Sequence, residues 1–183
     1  MHLLADWDHA ALHWINSHHA PPLDWLLIAV SFLGEAGGIW VLTGLGMLIF
    51  GERRTKRLGL LLLGTMLAGE LICWALGAAL YRTRPYLAGP GVRQLGVRWA
   101  GDSFPSAHAL SVGIAAILLG SEYRRLRWPL AAFALLTLYS RPYLGMHHPL
   151  DVLIGAAVGA AVGLAARRLR RGKIARPGIP SQD

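Results

Sequence analysis

Hydrophobic residues dominate the chain in five long runs that short polar segments separate. The runs cover residues 36–51, 58–80, 105–121, 128–144 and 149–166. We interpret them as membrane helices, although several are shorter than the ~20 residues that an untilted span needs. The polar ends of these helices are therefore expected to lie within the membrane boundary and to face a cavity.

The first 35 residues follow a weaker pattern. Residues 4–16 predict an amphipathic helix in the membrane interface, because apolar residues recur there at helical spacing, at Leu4, Trp7, Ala11, Trp14 and Ile15. Pro21-Pro22 is expected to break this helix, and Asp24 to cap a short apolar helix over 25–33. Because that helix is too short to span alone, either it packs against the bundle or residues 1–35 form a sixth, broken span. We identify no signal peptide, since a basic n-region and a small-residue cleavage site are missing.

Composition favours a membrane protein. The chain is 54% hydrophobic and 15% charged, whereas soluble domains carry about 25% charged residues. Thirteen of the 18 Lys and Arg residues fall in three clusters, at 53–57, 124–127 and 167–176. If every run spans once, all three clusters lie on one side, which the positive-inside rule makes cytoplasmic. The net charge of +8 gives nucleic-acid binding little support, because no basic run is interleaved with aromatic residues.

Small residues and the chain end add three expectations. Cys73 is the single cysteine, which excludes an internal disulfide or a thiolate metal cluster. Gly155, Gly159 and Gly163 share one helix face and predict close helix packing, within the bundle rather than in a dimer. We expect one domain over 1–171 and a disordered cytoplasmic tail over 172–183; the oligomeric state stays open.

Three polar segments fall on the outer side of this topology, at residues 81–85, 103–108 and 140–151. They meet at one end of a compact bundle. Arginines match phosphate oxygens in shape and charge. The helix start at Ser106, Ala107 and His108 offers backbone N–H groups to an anion. This end of the bundle is therefore expected to bind a phosphate group.

Catalytic groups occur in the same segments. His147 and Asp151 are four residues apart and share a face if both are helical, so that the carboxylate can fix the imidazole tautomer. The free imidazole nitrogen can then attack, and His108 can protonate a leaving oxygen. This set predicts phosphoryl transfer through a phosphohistidine, ending in hydrolysis. Zinc binding is disfavoured by the neighbouring arginines, and His148 is expected to be a wall residue. For Glu70, inside a span, a functional role and a pairing within the bundle are both open.

These segments resemble the signature of the type 2 phosphatidic acid phosphatase superfamily of membrane lipid phosphatases, which is related to vanadium haloperoxidases. The signature is K-x6-R-P, then P-S-G-H, then S-R-x5-H-x3-D. Residues 140–151 match the third part without a gap, residues 105–108 match the second with Ala107 for glycine, and Arg84-Pro85 match the end of the first. The resemblance implies an all-α integral-membrane bundle of five to six spans with an acid phosphatase/haloperoxidase-like core.

The resemblance also implies a role for each matching residue. His147 would be the nucleophile, Asp151 its orienter and His108 the general acid. Phosphate would be held by Arg84, Arg141, Ser106 and the amide at Ala107, without a metal or another cofactor. The family lysine falls at Gly77, and Arg82 is expected to supply part of the missing charge.

The expected function is hydrolysis of a lipid phosphate by a multi-pass protein of the bacterial inner membrane whose site faces the periplasm. Small bacterial undecaprenyl-diphosphate phosphatases are most similar, and loop 86–104 with Arg93 and Arg98 is expected to cover the site. Phosphatidylglycerophosphate, phosphatidic acid and lipid A phosphates are alternative substrates. Gly77 and Ala107 also allow a non-catalytic lipid-binding scaffold, whereas five apolar runs argue against a soluble haloperoxidase.

Overall fold

The computed structural model describes residues 2–89, 91–98 and 101–174. Its secondary structure is helical, and the described residues contain no strand beyond an isolated bridge between Thr83 and Asp102. The helices are α1 (His2–Ser17), α2 (Pro21–Leu33), α3 (Gly38–Phe50), α4 (Arg53–Ala79), α5 (Pro85–Ala88), α6 (Ala107–Glu122), α7 (Arg127–Tyr143) and α8 (Pro149–Ile174). The five apolar runs thus correspond to α3, α4, α6, α7 and α8.

Helix α6 is the centre of the bundle. It packs most extensively against α8 and also contacts α7 and α4, while α3 packs on α4. Its buried side chains point to all sides of the helix, as is typical of a helix enclosed by others: Leu110, Val112, Ile114, Ala115, Leu118 and Leu119. Helix α6 begins at Ala107, and the neighbouring Ser106 and His108 are buried. Its N-terminus therefore lies inside the bundle, at the predicted phosphate site.

The small-residue face of α8 packs inside the bundle. A Cβ at Gly155 would lie 3.2 Å from the Ser106 backbone nitrogen, and a Cβ at Gly159 would overlap the carbonyl oxygen of Leu110. A Cβ at Gly163 would approach the Ile117 side chain to 3.1 Å. These three neighbours are residues of α6 or, for Ser106, its N-cap residue. The prediction that these glycines form a seam within one chain is confirmed.

Two helices are long and apolar enough to cross a membrane by themselves, Arg53–Ala79 and the first 22 residues of α8. Helices α2 and α3 pass the same test as a pair that bends by 49°. The shorter helix α6 rises only about 24 Å at 1.5 Å per residue, less than the ~30 Å hydrocarbon layer. The all-α membrane bundle is confirmed, and the number of five to six spans stays a prediction.

The N-terminal segment forms two helices. Helix α1 exposes an apolar face with Leu3, Leu4, Trp7 and Trp14, in agreement with the predicted amphipathic pattern; its place in the membrane interface stays a prediction. Asp24 is not the cap of the second helix, because α2 already begins at Pro21 and its N-cap is Ala20. Proline is preorganised for the first helical turn, so the Pro21-Pro22 pair starts α2. The Asp24 carboxylate instead accepts hydrogen bonds from the Tyr143 hydroxyl and from His19.

The end of the chain differs slightly from the expected boundary. Helix α8 continues to Ile174, past the predicted domain limit at residue 171. The remainder of the predicted tail, 175–183, lies outside the described residues.

Candidate functional site

A cavity of about 490 Å³ opens at the end of the bundle where α4 ends and where α6 and α8 begin. Five of the eight residues predicted for the site line it, and they come from all three polar segments: Arg84, Ala107, His108, Arg141 and His147. Positions that are far apart in sequence thus surround one space, as the motif analysis expects.

His147 reaches this cavity from the loop between α7 and α8. The loop turns at Gly145, which has a φ of +72°, a conformation that side-chain-bearing residues rarely adopt. A Cβ at this position would also lie 2.7 Å from the carbonyl oxygen of Arg93. Glycine at 145 is therefore needed both for the turn and for its packing, and the turn presents His147 to the cavity.

The hydrogen bonds of His147 define which ring nitrogen is free to react. Its Nδ1 lies 2.7 Å from the carbonyl oxygen of Ser103. Because a carbonyl can only accept, Nδ1 carries the proton and donates it. Nε2 lies 3.4 Å from an Arg84 guanidinium nitrogen and is the acceptor there. The unprotonated Nε2 therefore faces the cavity, in the tautomer that a nucleophile requires.

The protonation state of His147 agrees with that tautomer. The side chain is buried, and burial lowers the pKa of His147 well below its usual value, with repulsion from Arg141 and Arg84 adding to the effect. At neutral pH the ring is uncharged, and its lone pair is available for attack.

Asp151 does not bond to His147, in contrast to the expected carboxylate–imidazole pair. Pro149 begins α8, so His147 precedes the helix and the i, i+4 argument does not apply. The Asp151 carboxylate accepts the Ser103 hydroxyl and the backbone N–H of His148, at 2.9 Å. Since the Ser103 carbonyl accepts the Nδ1–H of His147, Asp151 is connected to His147 only indirectly, through Ser103.

The cationic part of the cavity contains unpartnered donors. Arg141 is only 2% exposed and donates to the Ser31 hydroxyl, while Arg84 donates to the carbonyl oxygen of Met146 at 3.2 Å. Within the described residues, the Nε atoms of both arginines have no hydrogen-bond partner. The same is true of the Oγ of Ser106, which is buried and does not itself line the cavity but precedes the lining residue Ala107. Buried donors of this kind match the oxygens of a phosphate group.

The start of α6 adds backbone donors beside these side chains. Ser106 is the N-cap residue, and α6 begins at Ala107. The first N–H groups of a helix have no intrahelical acceptor and carry the positive end of the helix dipole. Alanine keeps its N–H, so the replacement of the family glycine by Ala107 leaves this anion-binding feature in place.

His108 lies against α2 and the turn that follows it. Its Nε2 is 3.2 Å from the carbonyl oxygen of Ser31 and 3.9 Å from the Glu35 carboxylate. The ring lines the cavity, where it can exchange a proton with a bound group. Its predicted role as general acid stays a prediction.

Arg82 has a different position from the one expected for a phosphate ligand. Its guanidinium contacts two fully buried carboxylates, donating to Asp8 and, at 2.7 Å, to Asp151. It is not among the residues that line the cavity. The structure therefore contradicts the proposed use of Arg82 as a substitute for the lysine missing at Gly77.

Neither loop 86–104, expected to cover the site, nor His148, expected to be a wall residue, takes its expected position. Arg93 approaches Asp24 at 3.8 Å, and Arg98 donates to Gln94 on the exposed side. Neither arginine lines the cavity, although Asp102 and Phe104 from the same loop do. His148 is buried against Asp8 and His9 and does not face the cavity.

Three acidic residues line the cavity, and two of them were not anticipated. Glu35 and Asp102 lie among the lining residues together with Glu70, so the cavity combines carboxylates with the arginines. Asp102 occupies the space beside Gly77, where a Cβ would overlap its carboxylate and lie 2.9 Å from the Phe104 carbonyl oxygen. The position of the family lysine is thus filled by an acidic side chain from another segment.

No group of three or more histidine, cysteine, aspartate or glutamate residues is arranged to hold a metal ion in the part of the chain that the structure describes. That the reaction needs no cofactor stays a prediction.

Known proteins are similar to this chain in sequence and in fold. The chain is 31% identical over 156 residues to the undecaprenyl-diphosphatase BcrC of Bacillus subtilis, covering 84% of this chain and 77% of that protein. The structure is similar to that of a transmembrane PAP2 type phosphatidylglycerolphosphate phosphatase of Bacillus subtilis, with a TM-score of 0.79, 25% identity, and coverage of 96% and 90% of the two chains. It is also similar to LpxE of Aquifex aeolicus, with a TM-score of 0.76, 25% identity, and coverage of 87% and 93%.

A family model covers the segment that carries the site. Residues 58–175, from α4 to the end of α8, match the PAP2 superfamily. This range includes the three motifs and every residue predicted for catalysis or phosphate binding. Together with the helical membrane fold, it makes the protein a membrane lipid phosphatase, and the chain belongs to the PAP2 superfamily.

Proposed function

We propose that this phosphatase hydrolyses undecaprenyl diphosphate to undecaprenyl phosphate, through a phosphohistidine on His147. One observation carries the catalytic part of the proposal. The Nδ1–H of His147 is anchored to the Ser103 carbonyl at 2.7 Å, while Nε2 faces a cavity that also contains Arg84 and Arg141. This arrangement combines an oriented nucleophile with donors for the charge of a phosphoryl group.

The first step transfers the terminal phosphoryl group to the enzyme. The lone pair of His147 Nε2 attacks the terminal phosphorus, so that an N–P bond forms and the bond from phosphorus to the bridging oxygen breaks. The two arginines and the α6 N-terminus stabilise the phosphoryl oxygens. His108 gives a proton to the oxygen of the departing lipid phosphate.

The second step regenerates the enzyme. Water attacks the phosphorus of phosphohistidine, His108 accepts a proton from that water, and the N–P bond breaks. Inorganic phosphate leaves, and His147 returns to its neutral form. Throughout both steps the Ser103 carbonyl holds the Nδ1 proton, which favours the positive charge that develops on the phosphorylated ring.

The substrate assignment is supported by the relative named undecaprenyl-diphosphatase, which aligns with 84% of this chain. The similarity to a phosphatidylglycerolphosphate phosphatase structure supports a second candidate substrate class. In that case the same site hydrolyses the phosphate monoester of a glycerolipid. Both substrates place a terminal phosphate on a membrane lipid, so the chemistry at His147 is shared and the leaving group differs.

The location is part of the proposal. Three clusters of basic residues at the ends of the helices opposite the cavity support a cytoplasmic position for those ends by the positive-inside rule. The cavity then faces the periplasmic side of a bacterial inner membrane, where the headgroup of a translocated lipid diphosphate would be accessible.

A lipid panel tests the substrate. Purified protein in detergent is given undecaprenyl diphosphate, phosphatidylglycerophosphate, phosphatidic acid and a lipid A phosphate, and phosphate release is measured with vanadate and with EDTA. We expect the highest kcat/KM on undecaprenyl diphosphate, inhibition by vanadate and no effect of EDTA. If undecaprenyl diphosphate is the poorest substrate, the substrate assignment is wrong.

Two histidine variants test the mechanism. His147→Gln should lose at least about 10³-fold in kcat, because the nucleophile is absent, whereas His13→Gln changes an exposed histidine on α1 and should retain activity. Rapid quenching with substrate labelled in its terminal phosphate should trap an acid-labile phosphoenzyme in the parent and none in His147→Gln. A parent that releases no phosphate from any of the lipids would instead support the scaffold alternative.

A further inference from the structure

Helix α1 lies outside the matched family segment, yet it presents polar side chains to the loops of the site. Asp8 is completely buried and Asn16 is 4% exposed, two turns apart on the face that also carries buried Leu12. Asn16 bonds to the backbone of Arg93 and to the carbonyl oxygen of Tyr143. The opposite face of α1 is apolar and exposed, so the polar face is the one that meets the protein.

Asp8 caps the helix that follows the nucleophile. One carboxylate oxygen accepts the backbone N–H of Leu150 at 2.8 Å, an N–H in the first turn of α8 that has no acceptor within that helix. A side chain from α1 thus performs the task that an N-cap residue usually performs in cis. Its negative charge also lies at the positive end of the α8 dipole.

The other carboxylate oxygen of Asp8 accepts a hydrogen bond from Arg82. Arg82 reaches across to Asp151, at 2.7 Å, so its guanidinium joins two carboxylates that are each 0% exposed. A buried carboxylate needs such a partner, because an uncompensated charge in the interior is strongly unfavourable. Asp8 therefore helps to determine how Arg82 holds Asp151.

The chain of contacts continues to the nucleophile. Asp151 accepts the Ser103 hydroxyl, and the Ser103 carbonyl accepts the Nδ1–H of His147 at 2.7 Å. Apart from the covalent connection between the hydroxyl and the carbonyl of Ser103, every link between Asp8 and His147 is thus a hydrogen bond between buried or half-buried groups. No member of this chain before His147 lines the cavity.

We propose that Asp8 is a positioning residue for phosphoryl transfer, which acts through Arg82, Asp151 and Ser103 to fix the ring and tautomer of His147. The proposal rests on the assignment of His147 as nucleophile. It makes α1 part of the catalytic apparatus, although Asp8 touches neither substrate nor the reacting atoms.

The variant Asp8→Asn separates positioning from capping. The amide oxygen of asparagine can still accept the Leu150 N–H, whereas its NH2 group meets the donor groups of Arg82 and cannot replace the ion pair. Asp8→Ala removes both interactions. Asp6→Asn is the matched control, because Asp6 lies on the same helix, carries the same charge and is exposed.

Steady-state kinetics and thermal unfolding are measured on the same detergent preparations. For Asp8→Asn we expect kcat to fall at least about 10-fold with KM within about 3-fold, and an unfolding midpoint within about 3 °C of Asp6→Asn. Because Asp8 acts through Arg82, adding Asp8→Asn to Arg82→Gln should lower kcat no further. A kcat within about 3-fold of the parent, or a full additional loss in the double variant, would overturn the proposal.

A spectroscopic measurement keeps the test independent of the substrate. In protein labelled with 15N-histidine, the couplings between ring protons and nitrogens report the tautomer, and the His147 signal is assigned by its absence in His147→Gln. We expect the Nδ1–H tautomer in the parent and in Asp6→Asn, and a gain of the Nε2–H tautomer in Asp8→Asn. If the parent is inactive on every lipid, the proposed function fails, while an unchanged tautomer in Asp8→Asn refutes the role of Asp8.

Discussion

At the scale of single residues, the protonation state of His147, the proposed nucleophile, is determined by burial and neighbouring arginines rather than by an adjacent carboxylate. His147 is buried between two arginines, and both effects disfavour the imidazolium. A neutral ring with Nδ1–H bound to a carbonyl has its lone pair on Nε2, which faces the cavity. The two arginines that we propose as phosphate ligands therefore also keep Nε2 of His147 unprotonated.

The pH dependence follows from this lowered pKa. Only the neutral form of His147 attacks, so activity is lost as the pH falls through its pKa, and the acid limb of kcat/KM should lie below the usual histidine range. Arg84→Gln removes one source of repulsion, raises the pKa of His147 and should move the acid limb to higher pH, together with weaker phosphate binding. The measurement is kcat/KM against pH in both proteins.

Arg98→Gln is the control for that experiment, because Arg98 is exposed and bonds to Gln94 outside the cavity. Its acid limb should coincide with that of the parent. An acid limb that stays in place in Arg84→Gln, or moves to lower pH, would contradict the electrostatic account.

Gly77 is a second residue whose importance comes from its neighbour. A Cβ there would overlap the Asp102 carboxylate, so Gly77→Ala should displace Asp102 and the adjacent Phe104 carbonyl. We expect a loss of about 1–3 kcal/mol in the free energy of unfolding, the range of overpacking substitutions, with reduced kcat. Chemical denaturation and phosphate release measure the two effects.

Two further variants identify the cause at Gly77. Gly64→Ala, on the same helix, adds a Cβ with nothing within 4 Å and should leave stability unchanged or slightly higher. Combining Gly77→Ala with Asp102→Ala should recover part of the lost stability. An additive double variant would show that the overlap is not the reason.

The motifs predicted which residues meet, but not every bond between them. The histidines and the arginines Arg84 and Arg141 were assigned from residue type and spacing, and they line the cavity. Asp151 was expected to bond to His147, because both were taken to be helical; Pro149 starts the helix too late for that. Asp8, Glu35 and Ser103 were missed because their contacts join segments that are distant in sequence, although buried Asp8 and Asn16 do share a helix face.

At the scale of helices, the contact between α6 and α8 determines how closely the two site-bearing N-termini approach. Both helices begin at the cavity, and the glycines of α8 let its backbone lie against that of α6. Because this close contact starts at Gly155 beside Ser106, we expect a change in helix separation to displace the donors proposed to bind phosphate. Packing in the middle of the bundle and geometry of the site are therefore coupled.

Gly159→Ala tests this coupling at a distance from the cavity. Its Cβ would overlap the Leu110 carbonyl oxygen and lie 2.8 Å from the carbonyl carbon, neither of which is a flexible side-chain atom. We expect the free energy of unfolding to fall by about 1–3 kcal/mol, together with a lower unfolding temperature and a lower kcat. Gly46→Ala on α3, with open space around its Cβ, is the control, and a Gly159→Ala protein as stable as Gly46→Ala would argue against a tight seam.

The helices were largely predictable because long apolar runs allow few alternatives, whereas their ends depended on single residues. The Pro21-Pro22 pair was expected to break the first helix, and α1 does end before it, at Ser17. The pair also starts α2, since proline suits the first turn of a helix. The docking of α1 was not predicted. Its amphipathic pattern shows that one face of the helix is covered, but it does not identify the partner that covers this face.

At the scale of the whole molecule, the two ends of the bundle differ in charge and task. The basic clusters lie at the start of α4, between α6 and α7, and at the end of α8, which are the helix ends opposite the cavity. Glu122 joins two of these clusters, by contacts with Arg54 at 2.6 Å and Arg170 at 3.1 Å. The arginines of the cavity are therefore separated from the charges that report orientation.

Orientation can be measured by cysteine labelling in a Cys73→Ala background, which removes the native thiol. Leu87→Cys places an exposed thiol on α5 at the cavity end, and Leu126→Cys places one between α6 and α7 at the basic end. In spheroplasts, a membrane-impermeant maleimide should label position 87 and should reach position 126 only after lysis. The reverse pattern would place the site on the cytoplasmic side and would overturn the orientation assigned from charge. A phosphatase with that orientation could act only on lipids that have not yet crossed the membrane. Phosphate release by both variants confirms that the labelled proteins are folded, so that orientation alone explains which thiol reacts.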